Sequence, residues 1–84
     1  MFLHVIRAIY LDDYRLRLDF SDGVTKDVDL KKELHGEIFE PLKEMSVFKR
    51  VRVNLETNTI EWPNGADFAP EYLYELGKEV RKIA

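Results

Sequence analysis

The side chains that could carry out chemistry are few and stand apart in the sequence. The two histidines, His4 and His35, have no second metal ligand or general base at a recognisable spacing. Ser21 falls in an expected tight turn and Ser46 is the only other serine, so a serine nucleophile with a neighbouring base has little support. The sequence therefore predicts no catalytic residue, and we expect a protein that is not an enzyme.

Aspartates between residues 12 and 29 raise the question of a metal site. Their spacing matches no calcium-binding loop, and two of them are expected to face arginines across a hairpin. A solvated face without a metal ion or cofactor is the interpretation we prefer. The residues concerned are Asp12, Asp13, Asp22, Asp27 and Asp29.

Five of the six arginines fall on predicted strands, where they could form a basic patch for RNA or for an acidic partner. Aspartates are expected opposite Arg15 and Arg17, which would remove much of the positive field. Arg50 and Arg52 lack evident partners and are candidates for an interface, as is Arg7. The net charge of −3 argues against a general nucleic-acid binder.

Composition indicates one soluble globular domain over residues 1–84, with 45% hydrophobic and 35% charged residues. The absence of cysteine excludes disulfides and fits a reducing cytoplasm. No apolar run is long enough to span a membrane, and the first residues lack the features of a signal peptide. We expect a cytoplasmic protein.

The strand predicted over Leu3 to Leu11 is apolar on both faces, and such a strand is usually covered on both. Counting alternate residues places Phe2, Ile6, Ala8 and Tyr10 on one side, and Leu3, Val5, Arg7, Ile9 and Leu11 on the other. If the middle and C-terminal helices pack on the same side of the sheet, then Ile9, Leu11 or Tyr10 would remain in a solvent-facing patch beside Arg7. Such a patch is typical of a contact with a partner or a second copy. Arg7, Ile9 and Leu11 are therefore candidate interaction residues.

The next two strands form a hairpin in which apolar and charged residues alternate. Ser21-Asp22-Gly23 is a three-residue loop with glycine where a positive φ is needed. The predicted register pairs Phe20 with Val24, Leu16 with Val28, Tyr14 with Leu30, Arg17 with Asp27, and Arg15 with Asp29.

Short helical segments follow, a turn over residues 31–34 and a helix that includes Ile38, Phe39, Leu42 and Met45, with Pro41 in its first turn. A second hairpin is expected to point Val51, Val53 and Leu55 inward. Its four-residue loop, Glu56 to Thr59, would align Leu55 with Ile60 and Val53 with Trp62.

The signature loop, Trp62-Pro63-Asn64-Gly65-Ala66-Asp67, joins the last of these strands to a helix. Pro63 and Gly65 suit a sharp turn, and Asp67 is free to accept hydrogen bonds from loop N–H groups or from a neighbour such as the Trp62 indole. Trp62 is interpreted as a core anchor in preference to a stacking platform for a base or ligand. Asn64, Gly65 and Asp67 are interpreted as turn and bracing residues in preference to an anion cradle.

The C-terminal helix is expected to begin after Ala69, with Pro70 as its first residue. One apolar stripe would run through Leu73, Leu76, Val80 and Ile83, with Gly77 allowing a close approach and with Arg81 and Lys82 in the last turn. The fold class is α+β: an antiparallel sheet of about five strands, in the order β-β-β-α-β-β-α, with this helix packed on one face. The face it should cover is formed by Leu16, Leu18, Val53 and Ile60.

The signature loop and the residues that follow it, Ala69-Pro70-Glu71-Tyr72-Leu73-Tyr74, resemble the closing motif of the domain-of-unknown-function 2442 family of small bacterial proteins. The resemblance extends upstream through Leu16-x-Leu18-x-Phe20-Ser21-Asp22-Gly23 and Phe39-Glu40-Pro41-Leu42. Proteins of this kind are short and stand-alone, often encoded beside another small protein, or form an N-terminal domain before a helix-turn-helix. The resemblance implies an antitoxin-like or regulatory role and supplies no catalytic residue. One helix after the motif leaves no room for a helix-turn-helix, so we expect no DNA binding by this chain alone.

Two functions follow as hypotheses. The first is a non-enzymatic interaction module that binds a small neighbouring-gene product or a second copy of itself. The alternative is a small-ligand or anion-binding domain that uses the loop from Trp62 to Asp67.

Overall fold

The computed structural model describes residues 2–80 and confirms an α+β fold. Two helices, α1 (Met45–Phe48) and α2 (Pro70–Leu76), are accompanied by 3-10 turns at Lys31–Glu33 and Glu40–Lys43. The strands are divided between two antiparallel sheets, where about five strands in one sheet were predicted. The strands are β1 (Val5–Asp12), β2 (Arg15–Phe20), β3 (Thr25–Asp29), β4 (Arg52–Asn54), β5 (Thr59–Glu61) and β6 (Lys78–Glu79). The larger sheet has the order β1-β2-β3-β6, and the smaller consists of β4 and β5.

The β2–β3 hairpin has the predicted register, with Arg17 opposite Asp27 and Leu16 opposite Val28. Gly23 has a φ of 89°, a conformation that glycine adopts at little cost. The Asp22 carboxylate accepts a hydrogen bond from the Val24 N–H at 3.0 Å, which fixes the loop. Turn chemistry and alternation of side chains therefore act together at this point of the chain.

Strand β1 is interrupted by two bulges. Val5 pairs with Phe20 and Arg7 with Asp19, so Ile6 is an additional residue in the ladder. A second irregularity lies between Tyr10, which pairs with Leu16, and Asp12. Each bulge shifts the alternation of side chains, and simple counting of alternate residues along this strand was therefore wrong for part of its length.

The core lies on one face of the larger sheet. Both helical regions pack there, since the Tyr14 ring lies 5.1 Å from that of Phe48 in α1 and the Phe20 ring lies 4.9 Å from that of Tyr74 in α2. Tyr10 also faces the core, with its ring 6.2 Å from that of Phe48. The completely buried residues include Leu16, Leu18, Phe20, Val28, Phe48, Ile60, Trp62 and Leu73. Within residues 2–80, the opposite face of this sheet therefore has no helix over it.

The loop of the β4–β5 hairpin begins one residue earlier than predicted, which changes the register of the two strands. Val53 pairs with Ile60, so the four-residue loop is Leu55–Asn58. Leu55 is consequently 82% exposed in the loop, and the prediction that it faces inward was wrong. The physical reason is the Asn54 side chain, which accepts a hydrogen bond from the Glu56 N–H at 2.8 Å and starts the turn one residue earlier.

Helix α2 begins as predicted, with Ala69 as the N-cap and Pro70 in the first turn, but it ends at Leu76. Gly77 is extended, and the next two residues form β6 against β3. A Cβ atom on Gly77 would lie 2.9 Å from Lys26 Cβ and 3.0 Å from Val28 Cγ2, so the predicted close approach is confirmed. Val80 is therefore not on a helical stripe, and Arg81, Lys82 and Ile83 lie outside the described residues.

Candidate functional site

The outer face of the larger sheet carries ion pairs on its central strands. The Arg17 guanidinium donates to both carboxylate oxygens of Asp27, at 2.8 and 3.0 Å. These hydrogen bonds hold the pKa of Asp27 below its ordinary value. A polar, internally neutralised surface was predicted here and is present at this rung.

The second predicted rung has the expected backbone register but a different side-chain partner. Arg15 lies opposite Asp29, yet its guanidinium donates to Asp12 at 2.8 and 2.9 Å. The cause is the second bulge, which brings Asp12 opposite Arg15. Asp29 instead accepts a hydrogen bond from the Lys31 N–H at 3.0 Å, at the start of the 3-10 turn.

Apolar side chains are found on the exposed side of β1, beside this charged face. Ile6 is 57% exposed and Ile9 is 40% exposed, while Leu11 is half-buried. Together with Arg7 these three residues form what we call the β1 surface. Its members Arg7, Ile9 and Leu11 were predicted, whereas Ile6 was assigned to the other side because a bulge cannot be seen by counting residues in twos.

Arg7 differs from the two arginines on β2. It lies opposite Asp19, but the Asp19 carboxylate accepts a hydrogen bond from the Thr25 hydroxyl at 2.5 Å. Among residues 2–80, Arg7 makes no ion pair, and its side chain is exposed. The guanidinium is therefore available to a carboxylate from outside the chain.

The remaining two arginine candidates lie on the other sheet. Arg52 has a partner after all, since its guanidinium is 3.7 Å from Glu61, the residue opposite it on β5. Arg50 is exposed and precedes β4. The five predicted interaction residues are therefore not gathered in one site, because three lie on β1 and two lie on or next to β4.

The signature loop is a structural element whose side chains are largely used within the chain. The Trp62 ring is completely buried, and its indole N–H donates to the Phe48 carbonyl at 2.9 Å, so the suggested bond to Asp67 was wrong. The core-anchor interpretation is confirmed, since a buried ring cannot stack on a ligand. Asn64 accepts from the Ala66 N–H at 3.1 Å and donates to the Ile38 carbonyl at 2.9 Å.

Three further residues of the loop, Pro63, Gly65 and Asp67, are exposed, whereas Ala66 is buried. Gly65 has a φ of 90° and donates its N–H to the Trp62 carbonyl at 2.9 Å. Pro63 and Asp67 are at the surface, and Asp67 forms an isolated β-bridge with Glu61. This geometry does not favour an anion site, since α2 has fewer than two full turns and the N–H groups of Trp62, Gly65 and Ala66 already have partners within the loop.

Comparison with known proteins places this architecture in a family. Residues 5–79 match the family described as Protein of unknown function (DUF2442). The chain belongs to this family. No curated protein and no solved structure matches it.

In this DUF2442 chain, two tyrosines of α2 attach the helix to the rest of the fold. The Tyr74 hydroxyl donates to Asp22 at 2.7 Å, and the Tyr72 hydroxyl donates to Glu33. Lys26 adds a bond from its ammonium group to the Tyr74 carbonyl at 2.6 Å and lies 3.7 Å from the centre of that ring. The hydrogen bond from Tyr74 lowers the pKa of Asp22 and raises that of Tyr74 itself. These contacts serve to fix the helix, and sequence reasoning did not find them because they join residues distant in the chain.

Residues 2–80 contain no group of three or more metal-ligating side chains. In the same range, no helix has the length and apolar character required to cross a membrane.

Proposed function

We propose that this chain is a protein-interaction module, not an enzyme, and that it binds another polypeptide through the β1 surface. In finer terms, it acts in the cytoplasm as an antitoxin-like or regulatory partner of a small bacterial protein. The observation that carries the proposal is the pair of bulges that leaves Ile6 and Ile9 exposed beside Arg7. The family resemblance, with its implied neighbouring-gene product, supports the finer statement.

Exposed apolar side chains on one strand stand out against the rest of this sheet face. The same face of β2 and β3 carries charged residues, as expected of a solvated surface. Removing apolar area from water contributes about 25 cal/mol per Å². Ile6, Ile9 and Leu11 therefore favour contact with another polypeptide, and bulges are a known means of re-aiming side chains at such places.

Arg7 gives the surface a preference for a particular kind of partner. It is exposed and makes no ion pair within residues 2–80. A guanidinium next to apolar side chains suits a partner that presents a carboxylate beside apolar residues of its own. Nucleic acid is a poor fit, because the adjoining arginines of β2 are already paired with aspartates and the net charge is −3.

The proposal is tested by co-expressing the chain with the product of the adjacent short gene and measuring the affinity of the purified components. Ile9→Glu should weaken binding about tenfold or more, because a well-packed interface residue commonly accounts for more than ~1 kcal/mol. The matched control is Ile38→Glu, since Ile38 is similarly exposed, at 46%, but lies outside the β1 surface. If both variants bind as the parent chain does while remaining folded, the β1 surface is not the binding site.

A further inference from the structure

We propose that the polypeptide bound at the β1 surface is a second copy of this chain. The two β1 strands pair antiparallel about a two-fold axis that passes at Ile9. This inference rests on the proposed function and deepens it by naming the occupant of the β1 surface. A small-protein partner would then bind the dimer, and Ile9→Glu would weaken its binding by dissociating that dimer.

The distribution of charge limits the contact to β1. Arg17 is paired with Asp27 and Arg15 with Asp12 on the strands beside the β1 surface. A partner lying flat on the whole face would remove these ion pairs from water, and the desolvation penalty can exceed the attraction that is gained. A narrow contact along the outermost strand avoids that penalty. Strand addition is the association that such a narrow contact allows, because main-chain hydrogen bonds supply the rest of the affinity.

The backbone of β1 has groups directed to its free edge. The Phe20 N–H donates to the Val24 carbonyl, toward β3. Val5, which lies opposite Phe20 on β1, donates its N–H away from β2, to the Asn58 carbonyl at 2.9 Å. Leu18 and Leu16 have the same orientation as Phe20, because alternate residues of a strand point the same way. Their opposite residues, Ala8 and Tyr10, therefore direct their N–H and C=O groups away from β2.

Beyond Val5, the edge of β1 has unpaired main-chain groups, although β4 and β5 lie close to the strand. The Asn58 carbonyl of the β4–β5 hairpin accepts a hydrogen bond from the Val5 N–H, but within residues 2–80 no ladder joins β1 to β4 or β5. Within residues 2–80, β1 is also the longest strand, with 8 residues, and it exposes Ile6 and Ile9 beside Arg7. Two bulges and the charge of Arg7 restrict pairing at this edge, but the regular stretch from Arg7 to Tyr10 keeps unpaired main-chain groups that can template another strand.

The register of the two β1 strands follows if every free N–H and C=O group of Ala8 and Tyr10 is to find a partner. If Ile9 lies opposite its own equivalent, Ala8 of each copy pairs with Tyr10 of the other, and the N–H and C=O groups of both residues find partners. On the outer side Ile9 then meets Ile9, a contact that the two-fold axis makes self-complementary. Arg7 lies opposite Leu11 and within reach of Asp13 two positions further on, an exposed carboxylate with no ion pair among the described residues.

The first test uses disulfide cross-linking, for which the chain offers a clean background because it contains no cysteine. In the proposed register, Ile9→Cys places two thiols opposite each other across the axis. We expect it to oxidise to a covalent dimer much faster than the control Ile38→Cys, whose position is similarly exposed at 46%. Sedimentation over a dilution series should show the parent chain passing from dimer to monomer. A monomer at every concentration, together with equal oxidation rates for the two cysteine variants, would overturn the proposal.

The second test separates this inference from the proposed function. Ile9→Thr keeps a β-branched side chain and removes most of the apolar contact, so it should dissociate the dimer while circular dichroism stays unchanged. Arg7→Asp should do the same, and adding Asp13→Arg should restore the dimer if the two residues meet across the axis. If the parent chain is monomeric yet Ile9→Thr loses the neighbouring-gene product, the second-copy inference is wrong and the interaction module stands. If neither association exists, both are wrong.

Discussion

The Trp62 indole N–H donates to the main-chain carbonyl of Phe48 at 2.9 Å, and both side chains are completely buried. Phe48 is the last residue of α1, so this bond joins the signature loop to the middle of the chain. The Trp62 ring also lies 5.9 Å from that of Phe68, edge to face. The motif that marks the family is thus an organising contact of the core.

Replacing Trp62 with phenylalanine should remove the indole donor from the Phe48 carbonyl, which would keep only the longer bond from the Val51 N–H at 3.3 Å. A hydrogen bond of this kind contributes about 1 kcal/mol, and the smaller ring leaves a cavity in the core, so the free energy of unfolding should fall by at least that much. The measurement is urea denaturation followed by circular dichroism. Leu55→Ala is the control, because it truncates an apolar side chain that is 82% exposed. Equal stability of the two variants would show that the indole bond contributes little.

Gly77→Ala should destabilise the packing of α2 on β3. The added methyl group would lie 2.9 Å from Lys26 Cβ and 3.0 Å from Val28 Cγ2, closer than such atoms normally approach. Overpacking of this kind costs about 1–3 kcal/mol. Thermal unfolding of Gly77→Ala beside Lys78→Ala, an exposed neighbour, gives the comparison. A melting temperature equal to that of the control would contradict the close approach.

The Arg17–Asp27 pair should make stability depend on pH in the acid range. The hydrogen bonds from Arg17 lower the pKa of Asp27 below its ordinary value of 3.8 in the folded chain. The contribution is therefore present above that value and is lost as pH falls through the lower pKa of the native state. Urea midpoints measured from neutral pH downward should fall less steeply for Asp27→Asn than for the parent chain. Parallel curves would show that the pair does not influence stability.

The Tyr74–Asp22 bond should be visible in the titration of a single carboxyl group. Tyr74 donates to Asp22 at 2.7 Å and is the main cause of the lowered pKa of that residue. Tyr74→Phe should raise the pKa of Asp22 toward its ordinary value, as followed by NMR of the carboxyl carbon. Tyr72→Phe serves as the control, because its hydroxyl donates to Glu33 and not to Asp22. An unchanged Asp22 titration in Tyr74→Phe would rule out the bond.

Sequence reasoning succeeded where short-range chemistry and long-range pattern agree. The β2–β3 register was determined by Gly23, by the alternation of leucines with charged residues, and by Arg17 opposite Asp27. The start of α2 was equally accessible, since Pro70 fits only the first turn of a helix. The burial of Trp62 followed from its position between a strand and a turn, although its partner Phe48 could not be named.

The parts that were missed depend on contacts distant in sequence. Ile6 was assigned to the wrong face of the strand because a bulge depends on pairing with the neighbouring strand, and the local sequence pattern does not indicate it. The end of α2 was missed because Gly77 is drawn against β3, and an extended backbone there allows β6 to form. The Arg15 guanidinium pairs with Asp12 and not with Asp29 because the second bulge brings Asp12 opposite Arg15.

The first bulge also has a consequence for how this strand tolerates a change in length. Removing one residue from a strand normally inverts every side chain beyond the gap. Here Val5 and Arg7 already pair with Phe20 and Asp19, which are neighbours on β2, so deleting Ile6 would leave a regular ladder with the core unchanged. Deleting Ala8 would instead turn Val5 outward or Tyr10 away from Phe48. Family members one residue shorter at this point are therefore compatible with the same fold, and they would differ by one exposed isoleucine.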